Sequence, residues 1–432
     1  MLYSKKNVTT TLRPNYSVND LSIFKAIFDE GLKHLTNWKP KINEVEGQID
    51  VLDFFCGCGG MSLGFAALAK ISNTFNIIGG IDINEIALES FANNFNAKTL
   101  KKDIRQIYAN KEQKLLQDYF GIKKKRKKPL IIIGCAPCQG FSAHQKRYGD
   151  KKDERNTLIG AFTETILEFE PDYIVMENVP EILGKKYWDH YEEARILLEG
   201  KGYNIKQTIY NAATFGVPQA RYRAVIIASK RAFSLPPHLL DSSEFVTVRQ
   251  AISDLPKVKP GEVPATDPYH RCASHNKNTI ETISRVPKNG GSRPKGVGPE
   301  CLDKVQGFSD VYGRLGWDKP SITLTQYSRN PASGRFSHPV QNRGLTIREA
   351  ARLQSFPDGF KFAGNLDHCF KQIGESVPPL LSLAIATQIA IELSSVQKTM
   401  KTVYKKSQTI PTLSNTIVAN QALVKNKRIA VQ

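Results

Sequence analysis

Between residues 49 and 228 the chain alternates short apolar, β-branched runs with helix-like stretches, and this constrains the fold more than any other feature. The runs at 51–55, 77–81, 130–133, 173–176, 205–210 and 224–228 have the length and composition of buried strands. Helical character fills 61–71, 85–95, 158–169 and 187–198. Parallel strands need crossovers long enough to hold a helix, so the pattern predicts an α/β fold with a doubly wound parallel sheet. Ligands of such sheets bind beyond the carboxyl ends of the strands. At 432 residues the chain exceeds what one core usually supports, so two domains are expected.

Outside the alternation the character changes. Residues 1–48 form a polar extension with one amphipathic helix over 21–38, where Phe24, Ile27, Phe28 and Leu35 share a face that should pack on the main body. Residues 231–343 are rich in Pro, Gly, Ser, Asn and basic side chains, which suggests a smaller loop-rich domain with strands at 311–315 and 322–324. The T-I-R-E sequence from Thr346 is a capping box that opens a returning helical segment, 344–397, with a long apolar helix over 378–393. Residues 398–432 form a basic tail without acids. The run KKKRKK at 123–128 should be a solvated loop at the amino end of the next strand, opposite the ligand-binding face.

Sixty Lys and Arg against 41 Asp and Glu give a net charge of +19, which suits a polyanionic partner. Nucleic acid is favoured over a membrane surface, because no basic amphipathic helix and no apolar run of spanning length is present. Seven scattered cysteines do not form a disulfide framework, and no secretory signal opens the sequence, so a cytoplasmic protein is expected.

The segment DFFCGCGGMSLGF at 53–65 follows a strand and opens a helix. Its glycines allow a tight turn and bring backbone N–H groups close to a ligand at the helix N-terminus. Asp82 ends the next strand, where a carboxylate can accept both hydroxyls of a ribose. Asp103 follows the third strand and is suited to an adenine amino group. A Gly loop with acids ending consecutive strands points to a nucleoside cofactor.

GCAPCQGFS at 134–142 holds Cys135 and Cys138 three apart, a spacing open to zinc, redox or covalent chemistry. Zinc needs two further ligands, and no second C-x-x-C exists, so no metal site is expected. A redox pair would leave the surrounding motifs unexplained. Those motifs are ENV at 177–179, QARYR at 219–223, GLTIREAARLQSFPDGF at 344–360 and QIGESVPPLL at 372–381.

In these motifs and their order, over about 49–230 and 344–395, the chain strongly resembles the DNA cytosine-5 methyltransferases of bacterial type. The resemblance implies an α/β fold with a doubly wound mixed sheet of the S-adenosylmethionine-dependent methyltransferase type, 49–230 being catalytic and completed by 344–397. It implies that 231–343 is the target-recognition domain. It also implies S-adenosyl-L-methionine as cofactor and double-stranded DNA as partner. A monomer is expected, serving either restriction–modification, where a cognate restriction endonuclease would act on the same site, or host or phage DNA modification.

The resemblance assigns Cys138 as nucleophile, Glu177 as the group bonded to ring nitrogen 3 and the exocyclic amine, Arg223 as the orienter of the cytosine, and Arg221 as its neighbour near Cys138. Addition of a thiolate to carbon 6 makes the ring enamine-like and carbon 5 reactive, and elimination then restores aromaticity. Glu177 would stabilise charge building in the ring, which calls for a raised pKa. Cofactor contacts implied are Phe55, Gly57, Gly60, Asp82, Ile83, Asp103, Ile104, Pro137, Ser376 and Val377. Glu375 departs from the usual asparagine. Gln139 and Ser142, on the loop after the nucleophile, and Thr323 and Thr325 are candidates for DNA contact.

The nearest rival is a tRNA cytosine-5 methyltransferase of similar fold. The Cys-Phe-Thr tripeptide usual in that group's recognition domain is absent. A catalytically dead DNA-binding relative is disfavoured by the intact Cys138, Glu177 and Arg223.

Overall fold

The computed structural model describes residues 18–41, 47–69, 71, 74–136, 157–184, 187–304 and 310–393. Seven strands form one sheet: β1 (Ile49–Phe54), β2 (Phe75–Asp82), β3 (Lys98–Lys101), β4 (Leu130–Gly134), β5 (Tyr173–Asn178), β6 (Asn204–Asn211) and β7 (Tyr222–Ser229), in the order β3-β2-β1-β4-β5-β7-β6. The pairings from β3 through β5 are parallel. β7 is antiparallel to both neighbours, with Glu177 opposite Val225 and Tyr210 opposite Arg223. The all-parallel sheet suggested by the alternation is therefore mixed. The link between β6 and β7, residues 212–221, is shorter than the dozen or so residues a parallel crossover needs.

Strict alternation in the central strands explains the two helical layers. Leu52, Phe54, Leu130, Ile132, Ile174, Met176, Ala224 and Ile226 face one core with α4 (Ile104–Ala109), α5 (Gln113–Phe120), α6 (Thr157–Leu167) and α7 (Trp188–Gly200). Val51, Ile131, Ile133, Val175, Val225 and Ile227 face the other, built with α1 (Val18–Thr36), α2 (Gly60–Ala69), α3 (Glu85–Asn94) and the carboxyl-terminal helices α10 (Ile347–Leu353), α11 (Leu366–Glu375) and α12 (Pro379–Glu392). Helix α1 buries Phe24, Ile27, Phe28 and Leu35 as its sequence periodicity requires. Helix α10 starts on the expected capping box, Thr346 accepting from Glu349 N–H while Glu349 accepts from Thr346 N–H.

Among the described residues no single helix is long and apolar enough to cross a membrane. Helices α11 and α12 together reach that length, but α12 is the enclosed core helix packed on α1 and α2.

Residues 231–343 are loop-rich as expected; among the described residues they hold the short α-helices α8 (Val248–Ile252) and α9 (Lys277–Ser284) and a small cluster of Ile283, Val286, Val311 and Tyr312. Phe233, Leu239, Leu240, Val246 and Val248 join the larger core instead. The strands anticipated at 311–315 and 322–324 do not form. Only single bridges occur there, Arg314 with Ser337 and Ser321 with Gln219. The fully buried Arg314 guanidinium supplies the order that a ladder would have given. It donates to the carbonyls of Ile283, Val286, His338 and Gln341 and to Asn342 Oδ1.

Candidate active site

At their carboxyl ends β1, β4 and β5 bring the Gly-rich turn, the Cys135–Ala136 exit and Glu177 together. Asn178 links two of these ends: its Nδ2 donates to Ala136 O (3.3 Å) and its Oδ1 accepts from Val179 N–H (2.8 Å). The departing chain is thereby fixed at the residue before Pro137. Pro137, Cys138, Gln139 and Ser142 lie outside the described residues.

Glu177 is 7 % exposed, and its Oε1 lies 2.7 Å from Arg223 Nε on the neighbouring antiparallel strand. The contact is an ion pair and not an aligned hydrogen bond, so Oε1 keeps hydrogen-bonding capacity. Burial raises the Glu177 carboxyl above the usual range, while the charges of Arg223 and Arg221 oppose the rise. Cys135 sits beside this pair. Burial and the charges of Glu177 and Asp53 push its thiol well above its ordinary value, which disfavours the thiolate.

Arg221 does not share that setting. It is 2 % exposed and donates to Leu324 O (2.9 Å), Gly374 O (3.0 Å) and Ser376 O (3.3 Å). The guanidinium thus joins the lead-in to β7 with the 321–324 segment and the end of α11. Its charge reaches Glu177, but its hydrogen bonds hold the scaffold. Gln219 has a similar place: Nε2 donates to Leu353 O and Gln354 Oε1, and Oε1 accepts from Leu324 N–H. Thr323 Oγ1 donates to Ala220 O (3.0 Å), and Thr325 Oγ1 accepts from Tyr327 N–H (3.3 Å).

The Gly-rich turn contains Phe55 at φ 56° and Gly57 at φ 51°. The left-handed conformation suits Gly57, and a Cβ there would point into open space, leaving room for a ligand at the turn. A Cβ at Gly60 would come within 2.5 Å of Val377 O, so glycine permits the 376–377 backbone to close the helix N-terminus. Ser376 Oγ in turn lies 3.2 Å from Cys58 Sγ.

Asp82 accepts from Gly57 N–H and Asn84 N–H, both at 2.8 Å, one on each oxygen. The carboxylate fixes the turn and retains lone pairs, and burial raises its pKa. Ile83, directly after it, is 63 % exposed, an uncovered apolar surface beside two polar oxygens. Asp103 caps α4 by accepting from Arg105 N–H and is forked by the Arg105 guanidinium, with Ile104 buried behind it. Glu375 is solvent-accessible, yet the crowding around it raises its carboxyl to about 6, with Asp82 adding and Lys371 opposing.

Sequence reasoning passed over Asp53. It is fully buried on β1, its Oδ2 accepts from Ser62 Oγ (2.6 Å), and among the described residues its Oδ1 has no hydrogen-bond partner. Burial pushes its carboxyl up to about 8. The signal was available, since Asp53 is the acid immediately before the Gly-rich turn. An enclosed, unpaired oxygen, an open left-handed glycine and an exposed isoleucine beside a carboxylate fit a ligand with an apolar ring, ribose hydroxyls and a cationic end.

Residues 49–390 match the family model described as C-5 cytosine-specific DNA methylase. Similar proteins include the type II methylase M.HgiDII of Herpetosiphon aurantiacus, 30% identical with 78% of this chain and 94% of the relative covered. The type II methyltransferase M1.HphI of Haemophilus parahaemolyticus is 34% identical over 78% of this chain and 86% of its own. M1.BsuMI of Bacillus subtilis is 32% identical over 87% and 89%. In fold, the chain is similar to the methyltransferase EhMeth of Entamoeba histolytica, with a TM-score of 0.56 at 17% identity over 80% of this chain and 99% of the other.

Proposed function

This chain belongs to the C-5 cytosine-specific DNA methylase family and is a DNA (cytosine-5-)-methyltransferase; from that premise we propose that it methylates a flipped-out cytosine in a specific double-stranded DNA sequence through a covalent adduct on Cys138. The observation that carries this reading is the buried Glu177–Arg223 pair beside the strand exit that leads into Pro137-Cys138-Gln139.

The Cys138 thiolate adds to carbon 6 of the base, and the electron pair of the 5,6 double bond becomes available at carbon 5. Glu177, whose carboxyl burial raises above the usual range, holds a proton at ring nitrogen 3 and accepts from the exocyclic amine. Arg223 holds the carboxyl in place and orients the base carbonyl. Once carbon 5 carries the methyl group, its proton passes to solvent water and the thiolate departs, which returns the aromatic ring. When bound, S-adenosyl-L-methionine supplies an electrophilic methyl group. Phe55, Gly57, Gly60, Asp82, Ile83, Asp103, Ile104, Pro137, Ser376 and Val377 would hold it, with Asp53 behind the turn. Residues 231–343 select the target, and Gln139, Ser142, Thr323 and Thr325 contact the DNA.

Three relatives named as type II enzymes support a place in restriction–modification. A cognate endonuclease would read the same site without standing in complex with this cytoplasmic, monomeric enzyme. The test is transfer of labelled methyl groups into duplex DNA with tRNA as the competing substrate, followed by bisulfite sequencing of DNA from an expressing host. Cytosine methylation at one recurrent duplex sequence is expected. Labelling of tRNA alone would overturn the reading.

A further inference from the structure

The active face carries the carboxyl ends of β1, β4 and β5, and the KKKRKK run lies at the other end of the same strands. Leu130 follows it directly, and β4 rises roughly 13 Å from there to Gly134. The loop is held by one of its own side chains. Arg126 donates to Phe169 O (2.9 Å) and Glu170 O, and lies 3.3 Å from Asp172 Oδ2 in the turn between α6 and β5. Asp172 Oδ2 also accepts from Leu130 N–H (2.9 Å). With Arg126 turned inward, Lys123, Lys124, Lys125 and Lys127 are all exposed. Among the described residues none of the four meets a carboxylate within ion-pair distance. The patch continues sideways: Tyr203 donates to Pro171 O in the same turn (2.7 Å), and Lys230 Nζ lies 5.2 Å from the Tyr203 ring.

A loop that is anchored through Arg126 and presents four ammonium groups with no carboxylate partner among the described residues is a surface for closely spaced anions. Isolated solubility charges need no such arrangement. The catalytic function brings duplex DNA to the opposite face, where neighbouring segments of the same long polyanion are the most concentrated partner. Among the described residues no basic amphipathic helix adjoins the loop to favour a lipid surface. We propose that this rear face, centred on Lys123, Lys124, Lys125 and Lys127, binds the phosphate backbone of a second DNA segment while the first occupies the catalytic cleft. The contact is sequence-independent, since ammonium groups on a loop meet phosphates and not base edges. It would let the enzyme bridge segments and pass between them.

The full chain is titrated with a fluorescent 14-bp duplex of random sequence at low salt, and stoichiometry is read by sedimentation. Two duplexes per protein are expected for the wild type and one for K123Q/K124Q/K125Q/K127Q. The second site should weaken at least ~10-fold, and its log–log salt slope should fall by up to ~3.6, because each of the four lost phosphate contacts removes about 0.9 of a released counterion. The plasmid methylation rate of the variant, expected within about two-fold of wild type, reports its fold. Independently of any variant, bound duplex should protect the four lysines of the wild type from an amine-reactive reagent. One duplex per wild-type protein, unchanged stoichiometry in the variant, or unprotected lysines would overturn the proposal. Tighter lysine-dependent binding to phosphatidylglycerol vesicles than to duplex would also overturn it, in favour of a membrane surface.

Discussion

Glu177 on β5 and Arg223 on β7 meet at 2.7 Å across an antiparallel pair, and burial and the guanidinium pull the carboxyl pKa in opposite directions. Burial raises it and the guanidinium restrains the rise. Removing Arg223 takes away the restraint, so Arg223→Gln should move the Glu177 limb of the kcat/KM profile to higher pH while lowering kcat. Glu177→Gln should lose that limb and about 10²–10⁴-fold of the rate. A profile unchanged in both variants would separate this pair from the chemistry.

Arg221 should behave differently from Arg223. Its hydrogen bonds go to the carbonyls of Leu324, Gly374 and Ser376, all enclosed. Arg221→Ala leaves these acceptors unpaired and should lower unfolding stability by about 2–4 kcal/mol. Chemical denaturation measures this. Loss of kcat at full stability would contradict the scaffold role.

Asp53 gives a stability prediction whose sign follows from linkage. Its carboxyl is raised from 3.8 to about 8 in the folded protein. Between those values the unfolded chain has released the proton and the folded one has kept it, so the penalty grows with rising pH. Relative to wild type, Asp53→Asn should gain melting temperature as pH rises from 4 towards 8, then level off. A gain that shrinks over this range would contradict the raised pKa.

The buried Glu349–Arg343 pair, 2.7 Å apart, has the opposite sign. Arg343 holds the Glu349 carboxyl at about 2, below its ordinary 4.5, against desolvation. Its contribution is complete above about 4.5 and is lost as pH falls towards 2. Glu349→Gln leaves a buried guanidinium uncompensated and should cost about 3–5 kcal/mol at neutral pH. Thermal melts of the variant should show a flatter acid limb than wild type.

The sheet and the site were legible for one reason: strand-end motifs report local chemistry that the α/β topology brings together automatically. Asp82, Glu177 and the Gly-rich turn needed only their positions after apolar runs. The antiparallel β7 was not visible in the alternation, because direction depends on connection length and not on strand composition. Arg221 and Arg223 are two apart on one extended segment and looked equivalent. Only the packing of 321–324 and 374–376 sends the first inward. Residues 311–315 and 322–324 had strand composition, but side chains meet the backbone there in place of a neighbouring strand: Arg335 donates to Arg314 O, Ser337 Oγ to Tyr312 O, and Gln219 Oε1 accepts from Leu324 N–H.

The central claim is that Cys138, and not its neighbour three residues earlier, forms the bond to the base. Transfer of labelled methyl from S-adenosyl-L-methionine into duplex DNA measures it most directly, with Cys138→Ser and Cys135→Ser compared against wild type. Cys138→Ser should abolish transfer while folding normally, and Cys135→Ser should retain it. Transfer by Cys138→Ser, or equal loss in both variants with zinc bound to the wild type, would contradict the account.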